Sequence, residues 1–262
     1  MAPLRALYVD LDNTLLGRAA SLFHDGDGKP SMLGPRAIEA CHRAGVEVIV
    51  MSGRRRAQTA EAARLLGGRA HIFESGSCIV DGFDEEWLTE PFMPDEGATI
   101  FEQIERTGAP KLLLDSLEIE YHSPWHVRRE VSHLFRGAID ARDANALLEE
   151  HGHEDVRLVD NGGIDRPGLR AYHLVPKGVS KGRAVARHMR VRGYAPEETI
   201  AVGDSREDLG AAEAVGTFWL VANALDRDPL LAGDLPRNAR VAEAANGAGV
   251  YEAVVAELAE RR

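Results

Sequence analysis

The sequence predicts an α/β fold: a parallel sheet covered by helices, interrupted by an inserted α+β segment. Three observations carry that prediction. Short runs that are apolar on both faces alternate with helically spaced segments from Leu7 to Phe73 and again from Ser180 onward, the rhythm of βα units whose strands are buried on both sides. Between about Phe83 and Tyr172 several short strand-like stretches carry polar residues at alternate positions, which suits an antiparallel sheet with one wet face. Several of the apolar runs also end in carboxylates or a serine, and in an open parallel sheet ligands sit beyond the carboxyl ends of the strands.

The first strand, Leu7-Tyr8-Val9-Asp10-Leu11-Asp12, finishes in two carboxylates one residue apart. A buried charge is costly without a compensating partner. If the strand persists, Asp10 and Asp12 point the same way; if it breaks after Asp10, the backbone carbonyl of Asp12 can turn inward. Either arrangement suits a hard divalent ion, Mg²⁺ when phosphate is the other ligand. The plain alternative is a strand end with two solvated aspartates and a turn at Asn13-Thr14.

Gly17 to Gly34 is long for a connection and reads as a flap, a hairpin or a surface loop. Pro35 to Ala44 is a helix stopped by Gly45. Val46 to Met51 is a buried strand ending in Ser52-Gly53-Arg54; a helix from Arg55 to Leu66 and a strand at Ala70–Phe73 follow. Glu74 to Gly82 reads as a turn and short hairpin leading out of the sheet. In the insertion, helices are expected at Asp95–Thr107 and at Trp125–Gly152 with a break near Gly137, and strands at Lys111–Leu114, Ile119–His122, Val156–Val159 and Leu169–Leu174. The parallel rhythm then returns. Ser180 caps a helix from Lys181 to Arg192 closed by Gly193, and Thr199 to Asp204 is a strand with a carboxylate at its tip. Ser205 opens a helix reaching Gly216, and Thr217–Val221, Arg240–Ala242 and a helix from Gly249 to Glu260 complete the sheet. The expected division is 1–82 with 173–262 for the sheet domain and 83–172 for the insertion.

With 44% hydrophobic and 28% charged residues the composition is that of a globular protein. A net charge of −11 argues against nucleic acid and against an anionic membrane surface as partners. No apolar run approaches the roughly 20 residues that span a bilayer, and the start leads directly into a strand, so a cytoplasmic location is expected. Cys41 and Cys78 lack disulfide or metal-ligand patterning.

The chemistry that fits these strand ends is phosphoryl transfer through an aspartyl phosphate, in which like charges are screened by Mg²⁺ and an ammonium. Asp10 is the expected nucleophile and Asp12 the general acid, needed because an alkoxide leaves poorly. Asp10, Asp204 and the Asp12 carbonyl are expected to hold Mg²⁺, and Ser52, the Gly53 backbone and Lys181 to hold the phosphoryl oxygens. Lys177 competes with Lys181 for that place; the latter is preferred because it opens a helix. Asp208, one turn after Asp204, is expected to orient Lys181 or a metal-bound water.

Asp10-Leu11-Asp12-Asn13-Thr14, Ser52-Gly53-Arg54, Ser180-Lys181-Gly182 and Gly203-Asp204-Ser205-Arg206-Glu207-Asp208 stand in the order of the four motifs of the haloacid dehalogenase superfamily, and the chain resembles its phosphohydrolases. The resemblance implies a Rossmann-like core with an inserted α+β cap that closes over the site and supplies substrate contacts. An insertion between the second and third motifs resembles the large-cap sugar-phosphatase branch. Asn246-Gly247-Ala248-Gly249 near the end is similar to the mannosyl-3-phosphoglycerate phosphatase subgroup. Glu74-Ser75-Gly76 resembles the branch's Glu-Asn-Gly turn, with Ser75 in place of asparagine.

The expected substrate is a small phosphorylated metabolite, a sugar phosphate or glycosyl-phosphoglycerate, and the expected assembly is a monomer or homodimer. Candidate substrate contacts are Arg54, Arg128 and Arg129, with His122, Trp125, His126 and Arg170 as further possibilities; two arginines on the ligand would imply a second anionic group such as a carboxylate. A phosphomutase on the same core and a non-enzymatic phospho-aspartate signalling module remain as alternatives. A dehalogenase would need neither the second acid nor the metal pair.

Overall fold

A computed structural model describes residues 2–164, 166 and 168–261; the expected outer bounds at residues 1 and 262 lie outside them. The chain runs β1 (Ala6–Val9), α1 (Leu33–Arg43), β2 (Glu47–Met51), α2 (Arg56–Leu65), β3 (Ala70–Phe73), β4 (Cys78–Asp81) and β5 (Asp84–Trp87). Then come α3 (Ile100–Thr107), α4 (Ala109–Ser116), β6 (Ile119–Tyr121), β7 (His133–Gly137), α5 (Ala141–Glu150), β8 (Val156–Gly163) and β9 (Arg170–Pro176). It closes with α6 (Lys181–Arg192), β10 (Thr199–Gly203), α7 (Arg206–Leu209), β11 (Thr217–Leu220), α8 (Asn223–Arg227), β12 (Ala239–Val241) and α9 (Asn246–Glu260).

Eight strands form one sheet in the order β12-β11-β10-β1-β2-β3-β4-β5, parallel through β3 and antiparallel at β4 and β5. The alternation of side chains in β1 explains why it sits in the middle. Leu7 and Val9 enter the core shared with α1 and α9, Ala6 and Tyr8 enter the core on the face of α6, and all four are wholly buried. The signals for α6 act as the sequence suggests: the Ser180 hydroxyl accepts from the Arg183 N–H at 3.1 Å, and Gly193 ends the helix at φ 64°.

A separate antiparallel sheet, β6-β7-β9-β8, packs its own core of Phe135, Leu158, Tyr172 and Leu174 against α3, α4 and α5. Several expectations need correction here. Lys111–Leu114 lies in helix α4, because Gly108 at φ 83° ends α3 and Pro110 sits in the first turn of the next helix. Only then do Ala109 and Leu113 fall on one buried face. Trp125–Gly152 is not a helix broken at Gly137. The segment after Pro124 is a turn, His133-Leu134-Phe135 pairs between β6 and β9, and α5 starts only at Ala141, where the Asp140 carboxylate caps the Arg142 N–H at 2.8 Å. The Glu74–Gly82 hairpin stays in the large sheet, which continues to Trp87, while the small sheet runs on to Pro176.

β7 also carries an acid-sensitive group. His133 is wholly buried, its ring stacked on Phe101 at 3.7 Å, and burial pushes its pKa down to about 4. The unfolded chain takes up this proton near pH 6.5 and the folded chain does not, so the neutral ring's contribution is fully present above that pH and is lost as pH falls toward 4. At pH 4 the loss is on the order of 3 kcal/mol. The urea midpoint of the wild type should therefore fall relative to His133→Phe between pH 6.5 and pH 4; parallel curves would contradict this.

Candidate active site

β1 ends at Val9, and the chain turns immediately afterward. Asp10 still donates its N–H to Val202 O at 3.0 Å, but the Asp10 carbonyl then accepts from Leu15 N at 3.3 Å and Asn13 adopts φ 64°. Of the two arrangements allowed by the sequence, the strand breaks after Asp10. Asparagine tolerates this left-handed conformation, and its carbonyl is held from the far end of the chain by Asn223 Nδ2 at 2.9 Å and Asn246 Nδ2 at 2.8 Å. The C-terminal asparagine thus shapes the first loop.

Register brings the motifs together. Val9 lies opposite Val50 of β2 and Val202 of β10, so Asp10, Ser52 and Asp204 leave three neighbouring strands at the same sheet edge. Lys181, at the start of α6 and 1% exposed, places Nζ 2.7 Å from Asp10 Oδ1 and 2.6 Å from Asp208 Oδ1. Oxygens of Asp10, Asp204 and Asp208 all lie within 4.8 Å of one another. Lys177 is instead at the surface beside Glu149, 3.4 Å away, which decides between the two lysines.

Asp208 is an organiser. Its Oδ2 accepts from the N–H groups of Asp204 and Ser205 at 3.2 and 3.1 Å and from the Ser205 hydroxyl at 2.6 Å. Gly203 makes that embrace possible, since a Cβ there would lie 2.2 Å from the Asp208 Cβ. Asp204 accepts from Thr14 Oγ1 at 3.1 Å and from Arg227 Nη1 at 3.2 Å.

Burial sets the electrostatics. Desolvation pushes the Asp10 carboxyl well above the usual carboxylate range, against the pull of Lys181, and pushes Asp204 up to about 7 with further help from the charge of Asp208. Three carboxylates thus face one ammonium and one guanidinium, a site short of positive charge and lined with hard oxygen donors.

The second loop carries Ser52, buried, whose hydroxyl accepts from Arg54 N at 3.2 Å. Arg54 holds Asp12 through two hydrogen bonds, Nε–Oδ2 at 2.7 Å and Nη2–Oδ1 at 2.5 Å. Beside the cluster, a cavity of about 20 Å³ is lined by Asp160, Arg170, Asp204, Arg206, Arg227 and Asp228. Arg170 is paired with Asp160 at 2.6 Å and Arg206 with Asp228 at 2.7 Å, while Arg227 reaches the cluster itself.

Two expected substrate contacts are placed differently. Arg128 is exposed in a turn, at φ 58°. Arg129 is buried, and its guanidinium is already committed to Gly53 O at 3.0 Å, Ser132 Oγ at 2.9 Å and Trp125 O at 3.2 Å, with Glu74 at 3.8 Å. It ties the small sheet to the Ser52-Gly53 loop instead of facing a ligand. Trp125 is half exposed and His126 stacks on Tyr121 at 5.1 Å. The sequence reading missed Arg227, which carries no local signal, and Thr14 as a partner of Asp204, although that threonine lies within the first motif.

A parallel sheet whose carboxyl edge gathers carboxylates around one buried lysine has the site of a protein that handles phosphoryl groups, placed where open α/β sheets bind their ligands. Residues 140–228 match the family model of haloacid dehalogenase-like hydrolases. The chain is 30% identical over 252 residues to a phosphoglycolate phosphatase of Methanoculleus marisnigri, covering 96% of this chain and 95% of that one. It is 28% identical over 224 residues to a phosphoglycolate phosphatase of Archaeoglobus fulgidus, covering 85% and 86%. In structure it resembles the sucrose-phosphatase of Synechocystis with TM-score 0.71 at 18% identity, covering 98% of both chains. A haloacid dehalogenase-like hydrolase from B. subtilis gives TM-score 0.63 at 17% identity, covering 96% of this chain and 99% of that one. The chain belongs to the haloacid dehalogenase-like hydrolases, and it is a phosphatase. Among the described residues no helix is long and apolar enough to cross a membrane.

Proposed function

We propose that this phosphatase is an Mg²⁺-dependent phosphomonoesterase that works through an aspartyl phosphate on Asp10, and that its substrate is a small phosphorylated carboxylic acid. The observation that carries the reading is the Lys181 ammonium held between Asp10 and Asp208, with Asp204 beside them. That geometry screens an attacking carboxylate from a phosphate dianion.

The donor set fits Mg²⁺. The Asp10 and Asp204 carboxylates and the Asp12 carbonyl would hold it, since carboxylate oxygens of Asp10, Asp204 and Asp208 lie within 4.8 Å of one another, a set of hard donors that suits a small divalent cation. When bound, the ion supplies the positive charge that lets phosphate approach. In the reaction an Asp10 oxygen forms a bond to phosphorus as the bond to the leaving oxygen breaks. Asp12 gives that oxygen its proton, then takes one from the water that attacks the acyl phosphate, releasing phosphate and restoring Asp10. Lys181 and the Ser52-Gly53 loop hold the phosphoryl oxygens throughout. The inserted segment that carries the small sheet β6-β7-β9-β8 acts as the cap.

The carboxylate in the substrate is supported by the relatives that carry the name phosphoglycolate phosphatase. Phosphate release from 2-phosphoglycolate with Mg²⁺, abolished by a chelator and restored by the metal, tests the reading. No release from it or from any small phosphate ester would defeat it.

Metal affinity should depend on pH with a definite sign. With Asp204 pushed up to about 7, protons compete with the metal below neutrality. Mg²⁺ at about a hundred times its dissociation constant should stabilise the fold by about 2.7 kcal/mol. The rise in Tm on adding a fixed Mg²⁺ concentration should be larger at pH 8 than at pH 6 and absent in Asp204→Asn. Equal shifts at both pH values, or a shift that survives the substitution, would contradict the assignment.

A further inference from the structure

Arg129 spends its guanidinium inside the protein, and the group it reaches is the backbone of the loop after β2. The side chain is buried. Its Nη1 donates to Gly53 O at 3.0 Å and to Ser132 Oγ at 2.9 Å, and its Nε donates to Trp125 O at 3.2 Å. The Glu74 carboxylate, 3.8 Å away, supplies a counter-charge. Burying a cation is costly even when it is paired. A backbone carbonyl can be held by a neutral donor, so the charge calls for a use beyond anchoring.

The peptide between Gly53 and Arg54 carries that use. A peptide unit is planar and trans, so its C=O and N–H point in opposite directions. On one side Arg129 holds Gly53 O; on the other the Arg54 N–H donates to Ser52 Oγ at 3.2 Å. One rigid plane therefore connects the guanidinium to the Ser52 hydroxyl. The carbonyls before and after it are pinned by other groups: Ser52 O accepts from Ser75 N at 3.1 Å and Arg54 O from Glu74 N at 3.0 Å. Gly53 has no Cβ to resist rotation of the plane, so its carbonyl needs a partner to fix it, and Arg129 is that partner.

A hydroxyl has one proton to give and lone pairs with which to accept. Ser52 Oγ accepts from Arg54 N, and among the described residues it makes no other hydrogen bond, so its proton is left for a ligand oxygen. Hydrogen bonds in a chain polarise one another. A cation on the Gly53 carbonyl makes the Arg54 N–H a stronger donor, and that in turn makes the hydroxyl a stronger donor. We propose that Arg129 is a positioning residue that acts through the Gly53–Arg54 peptide to turn and polarise the Ser52 hydroxyl toward a phosphoryl oxygen. This rests on reading the Asp10 site as the phosphatase centre. Arg129 lies in the inserted segment, so the phosphate loop is completed by a side chain from outside the sheet domain.

The test is a double-substitution cycle at Ser52 and Arg129 on the Mg²⁺-loaded enzyme, read as kcat/KM for 2-phosphoglycolate and as the dissociation constant of orthovanadate by calorimetry. Arg129→Lys keeps a positive charge beside Glu74, but its compact ammonium does not reproduce the planar fork that holds Gly53 O and Ser132 Oγ together. It should lower kcat/KM and weaken vanadate binding by about tenfold when the Ser52 hydroxyl is present, and by less than about twofold in Ser52→Ala. Equal losses with and without the hydroxyl, or no loss in either, overturn the proposal. The rise in Tm on adding Mg²⁺ should be the same in Arg129→Lys as in the wild type; losing that rise together with the activity would assign Arg129 to folding alone and equally overturn it. If the wild type neither releases phosphate from 2-phosphoglycolate nor binds vanadate, the phosphatase-centre reading itself falls and the proposal with it, an outcome distinct from an active enzyme in which the two substitutions simply add.

Discussion

Lys181→Met should lose about 10²- to 10³-fold in kcat and, separately, about 3–5 kcal/mol of stability. The ammonium is 2.7 Å from Asp10 and 2.6 Å from Asp208, and no other cation among the described residues touches either carboxylate. Removing it leaves two buried acids facing each other, a larger penalty than the loss of two hydrogen bonds. The stability deficit should shrink as pH falls, because Asp10 already binds its proton more tightly folded than unfolded, and without the lysine that difference widens. Urea midpoints from pH 8 to pH 5 measure this. A deficit that is constant across the range would show that the loss is one of packing.

Glu74→Ala should destabilise the chain by about 3–5 kcal/mol although Glu74 is outside the acidic cluster. Its carboxylate joins the end of β3 to the start of the small sheet through three backbone N–H groups, the Ser132 hydroxyl and the nearby Arg129. Truncation orphans those donors and leaves a buried guanidinium without its counter-charge. Arg129→Met in the same chain should recover part of the loss, since the uncompensated cation goes with it. A double variant no more stable than Glu74→Ala would show that the N–H groups carry the whole effect. Thermal and urea unfolding measure both.

How much of this the sequence announces depends on the range of the interactions. β1, β2 and β10 are legible because strands buried on both faces are apolar throughout, and Asp10, Ser52 and Asp204 mark their ends. Lys181 is legible because Ser180 caps a helix before it. The small sheet is harder: Leu112-Leu113-Leu114 is equally a strand or a helix face until Gly108 and Pro110 are seen to divide α3 from α4. His133-Leu134-Phe135 reads as helix because its partners in β9 lie 37 or more residues away. Arg129 next to Arg128 looks like a ligand-binding pair, yet the choice between surface and interior is made by Glu74, 55 positions earlier. The Arg54 pairing with Asp12 and the contact of Arg227 with Asp204 are likewise products of the fold.

The central claim is that Asp10 takes the phosphoryl group onto its own carboxylate. The most direct measurement mixes the Mg²⁺-loaded enzyme with phosphate-labelled 2-phosphoglycolate, quenches with acid within the first turnover, and maps the label by peptide mass spectrometry. Label on the peptide containing Asp10, absent from Asp10→Asn, is the expected result. Release of phosphate in that turnover with no label on the protein, or with the label on another residue, would contradict the account.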